Sequence, residues 1–166
     1  MYKNKDIKTN RGYTLLFAVL VSSLVLSIGI SILNISKKEF LLSTSARDSS
    51  LAFYAADGGF ECALLGDNID AFNISTDKTN LLSCNPSMAF STTHPPAGGT
   101  FIFHAKFGSE GNSCARVTVT EITTSGETTK TIESRGYNTG WDSVNKTCNV
   151  ASPKRVERAI RYSYKY

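Results

Sequence analysis

The sequence is poor in the residue types from which most enzymes build an active site. Its 166 residues include only two histidines, His94 and His104, and one tryptophan. The glycine patterns of phosphate-binding and dinucleotide-binding loops are missing, and so is the G-x-S-x-G motif of hydrolases. Asp67, Asp70 and Asp77 offer oxygen ligands for Ca²⁺, but a solvated loop is the simpler interpretation. We therefore expect no catalytic residue, no cofactor and no metal, so the chain is not expected to be an enzyme.

Charged residues are absent from one stretch near the N-terminus. From Tyr13 to Ser36, 24 consecutive residues carry no charge. A helix of that length reaches about 36 Å, enough to cross a hydrocarbon core of about 30 Å. A cleaved secretory signal, with an apolar core of about 7–15 residues, is the alternative. Because no second run of this kind follows, a multi-pass membrane protein is excluded and a single crossing is expected.

Positive charge is concentrated before that apolar run. The net charge is +4, and residues 1–12 contribute +3 of it, through Lys3, Lys5, Lys8 and Arg11 against Asp6. Basic residues beside a span favour the cytoplasm, so we expect a cytoplasmic N-terminus and an exported remainder. The expected segments are a leader (1–12), a membrane-spanning helix (13–36), an amphipathic helix (37–65) and a β-rich head (66–166).

A short motif marks the boundary between the leader and the apolar run. Residues 11–16 read Arg-Gly-Tyr-Thr-Leu-Leu. This boundary resembles the class III signal of type IV pilins and pseudopilins, in which a prepilin peptidase cuts after the glycine. The resemblance implies cleavage between Gly12 and Tyr13 and methylation at Tyr13. A glycine suits such a site because, without a side chain, it enters a narrow protease cleft in an extended form.

A second motif lies further along the chain. Residues 51–64 are rich in alanine and aromatic residues. Four apolar residues at helical spacing predict one stripe, formed by Phe53, Ala56, Phe60 and Ala63. The segment resembles the AFxAAExGxE segment of PilX-like minor pilins, with Asp57 in place of the usual glutamate. Together the two motifs extend the resemblance to type IV pilins over residues 11–64.

The resemblance implies a structural role. A pilin-like subunit is processed by prepilin peptidase, waits in the membrane, and assembles with other pilin subunits on an inner-membrane platform into an extracellular filament. Such a pilus serves adhesion, motility, DNA uptake or secretion, and direct contact of this subunit with nucleic acid is not expected. The alternative is a signal-anchored surface binding domain that never polymerises.

Three residues of the apolar helix bear on assembly. Most major pilins carry a glutamate as the fifth residue after the cut, where this chain has Phe17. A carboxylate in a bilayer costs about 2.5–3.5 kcal/mol, so it is kept only where a partner compensates it. Its absence favours a minor, tip or initiation subunit; a lineage that tolerates an apolar residue there is the alternative. Gly29 and Asn34 weaken the helix, and we expect local loss of helix around them in a filament.

The exported part changes to alternating periodicity. Four strands are predicted, over 100–107, 115–123, 129–137 and 155–164. The Ser-Gly pair at 125–126 makes a two-residue hairpin turn, and pairing around it sets Val119 opposite Ile132 and Glu121 opposite Lys130. One long helix and four antiparallel strands predict an α+β fold, with the sheet covering the stripe of the helix.

All four cysteines follow the apolar run, at Cys62, Cys84, Cys114 and Cys148. An even number confined to the exported part favours disulfides, and the C-x-x-C spacing of many metal sites is missing. Three pairings are possible, and four free thiols are the alternative. We favour Cys62–Cys84 with Cys114–Cys148, because each joins neighbours along the chain.

The segment 154–161 is the densest basic stretch outside the leader. Alternation places Arg155 and Arg161 on one strand face with Glu157 between them. Direct DNA binding would need several phosphate contacts from one exposed basic patch. We expect instead a solvated sheet edge or sheet face in which Glu157 pairs with an arginine; on an edge strand, such charges also prevent unwanted strand pairing.

Overall fold

The fold, given by a computed structural model that describes residues 11–72, 84, 99–108 and 111–166, is α+β. A long N-terminal helix, α1 (Arg11–Asn68), packs through its later turns on a four-stranded antiparallel sheet. This is the predicted fold class. The chain divides into two compact units, Met1–Thr44 and Ser45–Tyr166.

The helix ends in a Schellman motif. Asp70 has a positive φ of 53°, in the left-handed region that helix ends use. The Ala71 N–H donates to the Gly66 carbonyl at 2.8 Å, and the Asp70 N–H donates to the Asp67 carbonyl at 3.1 Å. These two bonds satisfy carbonyls that would otherwise lack partners at the helix end. The helix therefore ends at Asn68, three residues beyond the predicted end near Leu65.

Within the described residues, six strands follow the helix. They are β1 (Thr100–Phe107), β2 (Ser113–Thr124), β3 (Glu127–Tyr137), β4 (Trp141–Asp142), β5 (Thr147–Cys148) and β6 (Glu157–Lys165). The main sheet has the order β1-β2-β3-β6, so β6 is an edge strand as expected. The four predicted strands agree with β1, β2, β3 and β6 to within two residues at each end. The β4–β5 hairpin is an addition that periodicity did not predict, because two-residue strands carry no detectable period.

The predicted hairpin between β2 and β3 is confirmed in register. Thr124 pairs with Glu127 around the turn, whose two residues both have positive φ, 55° for Ser125 and 90° for Gly126. Such turns match the right-handed twist of the flanking strands. Val119 lies opposite Ile132 and Glu121 opposite Lys130, as the sequence predicts.

The helix stripe that meets the sheet agrees with the predicted stripe at Ala56 and Ala63 and differs from it elsewhere. The buried residues of this face are small: Ala52, Ala55, Ala56, Gly59, Cys62 and Ala63. Phe53, predicted to be covered, exposes 48% of its surface, and Phe60 is only partly buried against the core. The prediction of Phe53 was therefore wrong, because it gave weight to the size of the side chain rather than to the closeness of the contact.

Glycine residues allow α1 and the sheet to lie this close together. A Cβ atom added at Gly136 of β3 would collide with the backbone of Ala52 and Ala56. A Cβ atom added at Gly59 would lie 2.7 Å from the Ser134 hydroxyl and 2.8 Å from the Ala115 Cβ. The alanine and glycine positions of the second motif therefore form the contact between helix and sheet.

The two disulfides are the predicted ones. Cys62 of α1 is joined to Cys84, and Cys114 of β2 is joined to Cys148 of β5. The second disulfide holds the β4–β5 hairpin beside Tyr137, and Trp141 packs against this small cluster. The head thus has two apolar cores, one between α1 and the sheet and one under the hairpin.

Candidate functional site

The first unit presents an apolar helical surface. Every side chain described from Tyr13 to Arg47 is exposed, and Leu15 and Leu33 expose 70% and 63% of their surfaces. By length and composition, α1 is able to cross a membrane. Exposed apolar area is unfavourable in water by about 25 cal/mol per Å², so an apolar surrounding would stabilise this part of the helix.

Serines in this segment satisfy their hydroxyl groups within the helix. The Ser23 hydroxyl donates to the Leu20 carbonyl at 2.8 Å, and the Ser31 hydroxyl donates to the Ser27 carbonyl at 3.0 Å. Polar groups need such internal partners in hydrocarbon, where water is absent. Ser23 and Ser31 are therefore compatible with an apolar environment.

The residues predicted for processing and assembly all lie on α1. Gly12 and Tyr13 fall in its first turn, where backbone N–H groups have no intrahelical partner, so little hydrogen bonding opposes local unwinding there. Tyr13 and Phe17 are one turn apart on the same side of the helix and expose 72% and 58% of their surfaces. Gly29 has no heavy atom within 4 Å of an added Cβ position, and α1 is regular from Gly29 to Asn34 in this single chain.

A polar cluster joins the end of α1 to the sheet. Lys130 Nζ lies 2.6 Å from Asp67 Oδ1 and 3.8 Å from Glu121 Oε2, and it lies 5.2 Å from the centre of the Tyr166 ring. The Tyr164 hydroxyl donates to the other Asp67 oxygen, and the Tyr166 hydroxyl donates to Glu121 at 2.6 Å. The sequence predicted only the pairing of Glu121 with Lys130. Asp67 belongs to the cluster as well, because the helix ends beside the sheet.

This cluster perturbs its ionisable groups in a consistent direction. Burial lowers the pKa of Lys130, but the hydrogen bond and charge of Asp67, with the charge of Glu121, more than offset this, so the pKa is raised overall. The pKa of Tyr164 is raised by burial and by its hydrogen bond to Asp67. Lys130 therefore stays charged and Tyr164 stays neutral at physiological pH. The arrangement fastens the helix end and leaves Asp67 committed to protein partners.

The structure brings no group of the predicted metal ligands together within the described residues; Asp70 is an exposed residue at the end of α1. Asp67 is held by Lys130 and Tyr164, and Asp77 and His94 fall outside the described ranges. His104 lies beside Cys114 and Cys148, close enough for a three-ligand cluster. Those two sulfurs are joined to each other, whereas a metal would need thiolates.

His104 instead supports the hairpin. Its Nδ1 accepts a hydrogen bond from the Cys148 N–H at 3.4 Å. Burial, aided by the nearby Arg116, lowers the pKa of His104, so the ring is neutral at pH 7 and can accept this bond.

The basic C-terminal segment is distributed over several partners. Glu157 pairs with Arg135 of β3 at 3.1 Å, which is the predicted pairing with an arginine. The Arg155 guanidinium donates to the Val150 carbonyl, and Arg158 donates to the Ser49 hydroxyl on α1 at 2.9 Å. The exposed arginine on this strand that faces away from the helix is Arg161.

No protein-family profile, curated protein or solved structure matches the chain.

Proposed function

We propose that the protein is a structural subunit of a type IV pilus or a related filament and assembles through the apolar part of α1. The observation that carries the proposal is the continuous helix Arg11–Asn68, exposed and apolar in the first unit and packed by alanines and glycines on a four-stranded sheet in the second. The two sequence motifs at residues 11–16 and 51–64 support the same proposal. They coincide with the start of that helix and with its contact to the sheet.

The exposed helix suits two successive environments. Lipid covers it while the subunit waits as a single-pass membrane protein, with the N-terminus in the cytoplasm and the head exported. Neighbouring pilin helices cover it after assembly, when the filament is extracellular. The change exposes no apolar surface to water because both environments are apolar, and the hydroxyls of Ser23 and Ser31 already have internal partners.

The absence of a carboxylate at Phe17 supports a minor, tip or initiation subunit. A phenyl ring carries no negative charge, so Phe17 cannot form a salt bridge with the terminal amine of a neighbouring subunit. In this proposal the subunit is processed by prepilin peptidase, joins other pilins on an inner-membrane platform, and contributes to adhesion, motility, DNA uptake or secretion by the filament. Its role in those processes is structural and involves no catalysis.

The decisive experiment is the intact mass of the native protein. We expect the loss of residues 1–12 and the gain of one methyl group. A Gly12→Leu variant should keep its leader, because the added side chain blocks the protease cleft, whereas a Gly29→Ala control should be processed normally. A native protein that keeps its leader would contradict the proposal.

A second candidate function is a signal-anchored surface binding domain that does not polymerise. Phe17 favours it, since a subunit without the carboxylate lacks one contact that major pilins use in assembly. Sheared filaments separate the two candidates. The pilin proposal expects the processed chain to sediment with the filaments, and the anchored domain would stay in the membrane fraction.

A further inference from the structure

The sheet carries a polar groove on the face that does not pack on α1. Val117, Val119 and Ile132 point to the helix side and are fully buried. Successive strand residues alternate between faces, so their neighbours along β2 and β3 point to the other side. Side chains of β2, β3 and β6 enclose there an open groove of about 440 Å³.

Arginines dominate the charge of this groove. Its lining includes Arg116, Arg135 and Arg161 and one acidic residue, Glu133, which gives a net charge of +2. Strand register sets Arg116 directly opposite Arg135 and Glu133 opposite Arg161. Like charges directly opposite each other destabilise a sheet by repulsion. An anion bound between Arg116 and Arg135 would replace this repulsion with attraction.

Two of the three arginines have guanidinium groups that are available to bind a ligand. Arg135 takes both nearby carboxylates, through its Nε to Glu133 and through its Nη1 to Glu157. Among the described residues, the guanidinium groups of Arg116 and Arg161 have no ion pair and donate no hydrogen bond. Both side chains are exposed. A guanidinium binds a carboxylate through two parallel hydrogen bonds, so each is suited to one carboxylate.

The remaining lining selects a hydroxyl-rich ligand. Thr118, Thr120 and Thr131 present hydroxyl groups along the groove, and the Thr131 hydroxyl is 2.9 Å from that of Ser163. Glu133 adds an acceptor for ligand hydroxyls to the lining of the groove. Ile122 exposes 59% of its surface beside the threonines and gives an apolar contact for the C–H face of a sugar ring.

The described lining of the groove offers no stacking surface of the kind that single-stranded nucleic acid requires. Such binding uses exposed aromatic rings on which successive bases stack. The aromatic residue of the groove, Tyr137, is only 4% exposed and packs against the Cys114–Cys148 disulfide. The charge and the hydroxyl groups therefore fit an acidic carbohydrate better than a nucleic acid.

We infer that this groove binds an acidic polysaccharide, with carboxylates on Arg116 and Arg161 and sugar hydroxyls on the threonines and Glu133. The inference goes beyond the proposed function, because it concerns a ligand of the head and needs no filament. It assigns the sheet face a recognition role that neither sequence motif indicates.

The test measures binding of oligogalacturonate to the full chain in neutral, non-glycosidic detergent micelles, by titration calorimetry near physiological ionic strength. Neutral maltooligosaccharide and single-stranded oligothymidylate are the comparison ligands. We expect measurable binding of oligogalacturonate and weaker binding of the other two. Equal binding of the neutral sugar, tighter binding of the oligothymidylate, or no binding of oligogalacturonate would overturn the inference.

Two variants with the same charge change locate the site. The double variant Arg116→Ala, Arg161→Ala should weaken oligogalacturonate binding by about tenfold or more, the equivalent of one charge-assisted hydrogen bond or more. The control Arg47→Ala, Lys154→Ala also removes two exposed positive charges, but neither residue lines the groove, so binding should stay within about twofold. Equal weakening in both variants would mean non-specific attraction and would overturn the site.

We expect a third variant to strengthen the binding of oligogalacturonate instead of weakening it. Glu133→Gln removes the negative charge of the groove and leaves Arg135 with one carboxylate partner instead of two. It should tighten oligogalacturonate binding about threefold, whereas a purely structural role for Glu133 would leave it unchanged or weaken it. All of these measurements use the unassembled subunit, so their failure leaves the filament proposal, tested by processing and sedimentation, unaffected.

Discussion

At the scale of single residues, the smallest side chains decide where α1 meets the sheet. Ala52, Ala56 and Gly59 face Gly136 and Ser134 at distances that admit no further carbon atom. Helical periodicity located this stripe within one residue, but it assigned the large aromatic Phe53 to the buried face. Periodicity identifies the apolar side of a helix, whereas the separation of helix and sheet depends on the opposite surface, which the sequence of the helix does not contain.

The Gly136→Ala substitution tests this close contact. The added methyl group would meet the backbone of α1, which cannot rotate away, so we expect the free energy of unfolding to fall by about 3 kcal/mol. Gly58→Ala is the matched control: its methyl group meets only the Phe107 ring, which can turn, and alanine favours the helix. Urea unfolding of the full chain, followed by the fluorescence of Trp141, reports both. Equal losses would contradict a backbone contact at Gly136.

The Asp67→Asn substitution tests the polar cluster at the helix end. Asp67 and Lys130 are mostly buried, with side-chain exposures of 19% and 12%, so we expect a loss of about 1–3 kcal/mol in the free energy of unfolding. Glu127→Gln breaks the exposed pair with Lys165 and should change stability by less than about 0.5 kcal/mol. A result in which both variants lose the same amount would show that burial of the first pair is unimportant.

The same cluster predicts a dependence on pH. The pKa of Lys130 is higher in the folded chain, so its contribution is complete below the unfolded pKa of about 10.4 and is lost as the pH rises through the folded value. The native protein should therefore lose stability above about pH 10 more steeply than the Asp67→Asn variant. Urea unfolding at a series of pH values from neutral to strongly alkaline measures the two slopes. Parallel slopes would show that Asp67 does not control the titration.

At the scale of elements, the sheet was predictable and the hairpin on it was not. The strands β2 and β3 alternate over many residues around a two-residue turn, and a slip of one residue would expose Val119 and Ile132, so the sequence determines their register. The β4–β5 hairpin has two residues in each strand and is held by Cys148 and the neutral His104. Its position depends on these distant partners. The groove could not be predicted from the sequence either, because its three arginines, Arg116, Arg135 and Arg161, lie on three different strands.

Removal of the Cys114–Cys148 disulfide should release that hairpin. With serine at both positions, we expect a loss of about 3–4 kcal/mol in the free energy of unfolding and faster amide exchange over residues 141–148. A variant with serine at Cys62 and Cys84 should lose a similar free energy but keep the protection of the hairpin, since that disulfide anchors α1 instead. Hydrogen exchange measured by mass spectrometry distinguishes them. Unchanged exchange over 141–148 in the first variant would refute the anchoring role.

The middle of the apolar helix makes a separate prediction for the filament. Glycine destabilises a helix interior by about 1 kcal/mol relative to alanine, and Gly29 has no packing neighbour in the single chain. In filaments we expect residues 29–34 to exchange their amide hydrogens faster than residues 15–26. Gly29→Ala should slow that exchange. Equal protection of the two segments in native filaments would refute a weak point at Gly29.

At the scale of the whole molecule, the two units suit different environments, water for the head and an apolar surrounding for the first unit. The head buries many apolar residues in its cores and closes two disulfides, as an exported protein in water does. The described side chains of the first unit are all exposed and mostly apolar, and the hydroxyls of Ser23 and Ser31 donate to carbonyls of their own helix. The net charge of +4 is also unevenly distributed: residues 1–12 carry +3, and these residues would be lost on processing. The mature subunit would then be nearly neutral.

If Phe17 limits the subunit to minor positions, restoring a carboxylate there should change its abundance in the filament. In the bilayer a carboxylate at this position costs about 2.5–3.5 kcal/mol, which only a partner such as the terminal amine of a neighbouring subunit can offset. Phe17→Glu should therefore enter sheared filaments in a larger share than the native chain, as measured by quantitative mass spectrometry. Phe17→Gln is the control, because it has a similar shape and no charge, and its share should not rise. A native chain that is already the bulk component, or a rise in both variants, would mean that Phe17 does not set the place of the subunit in the filament.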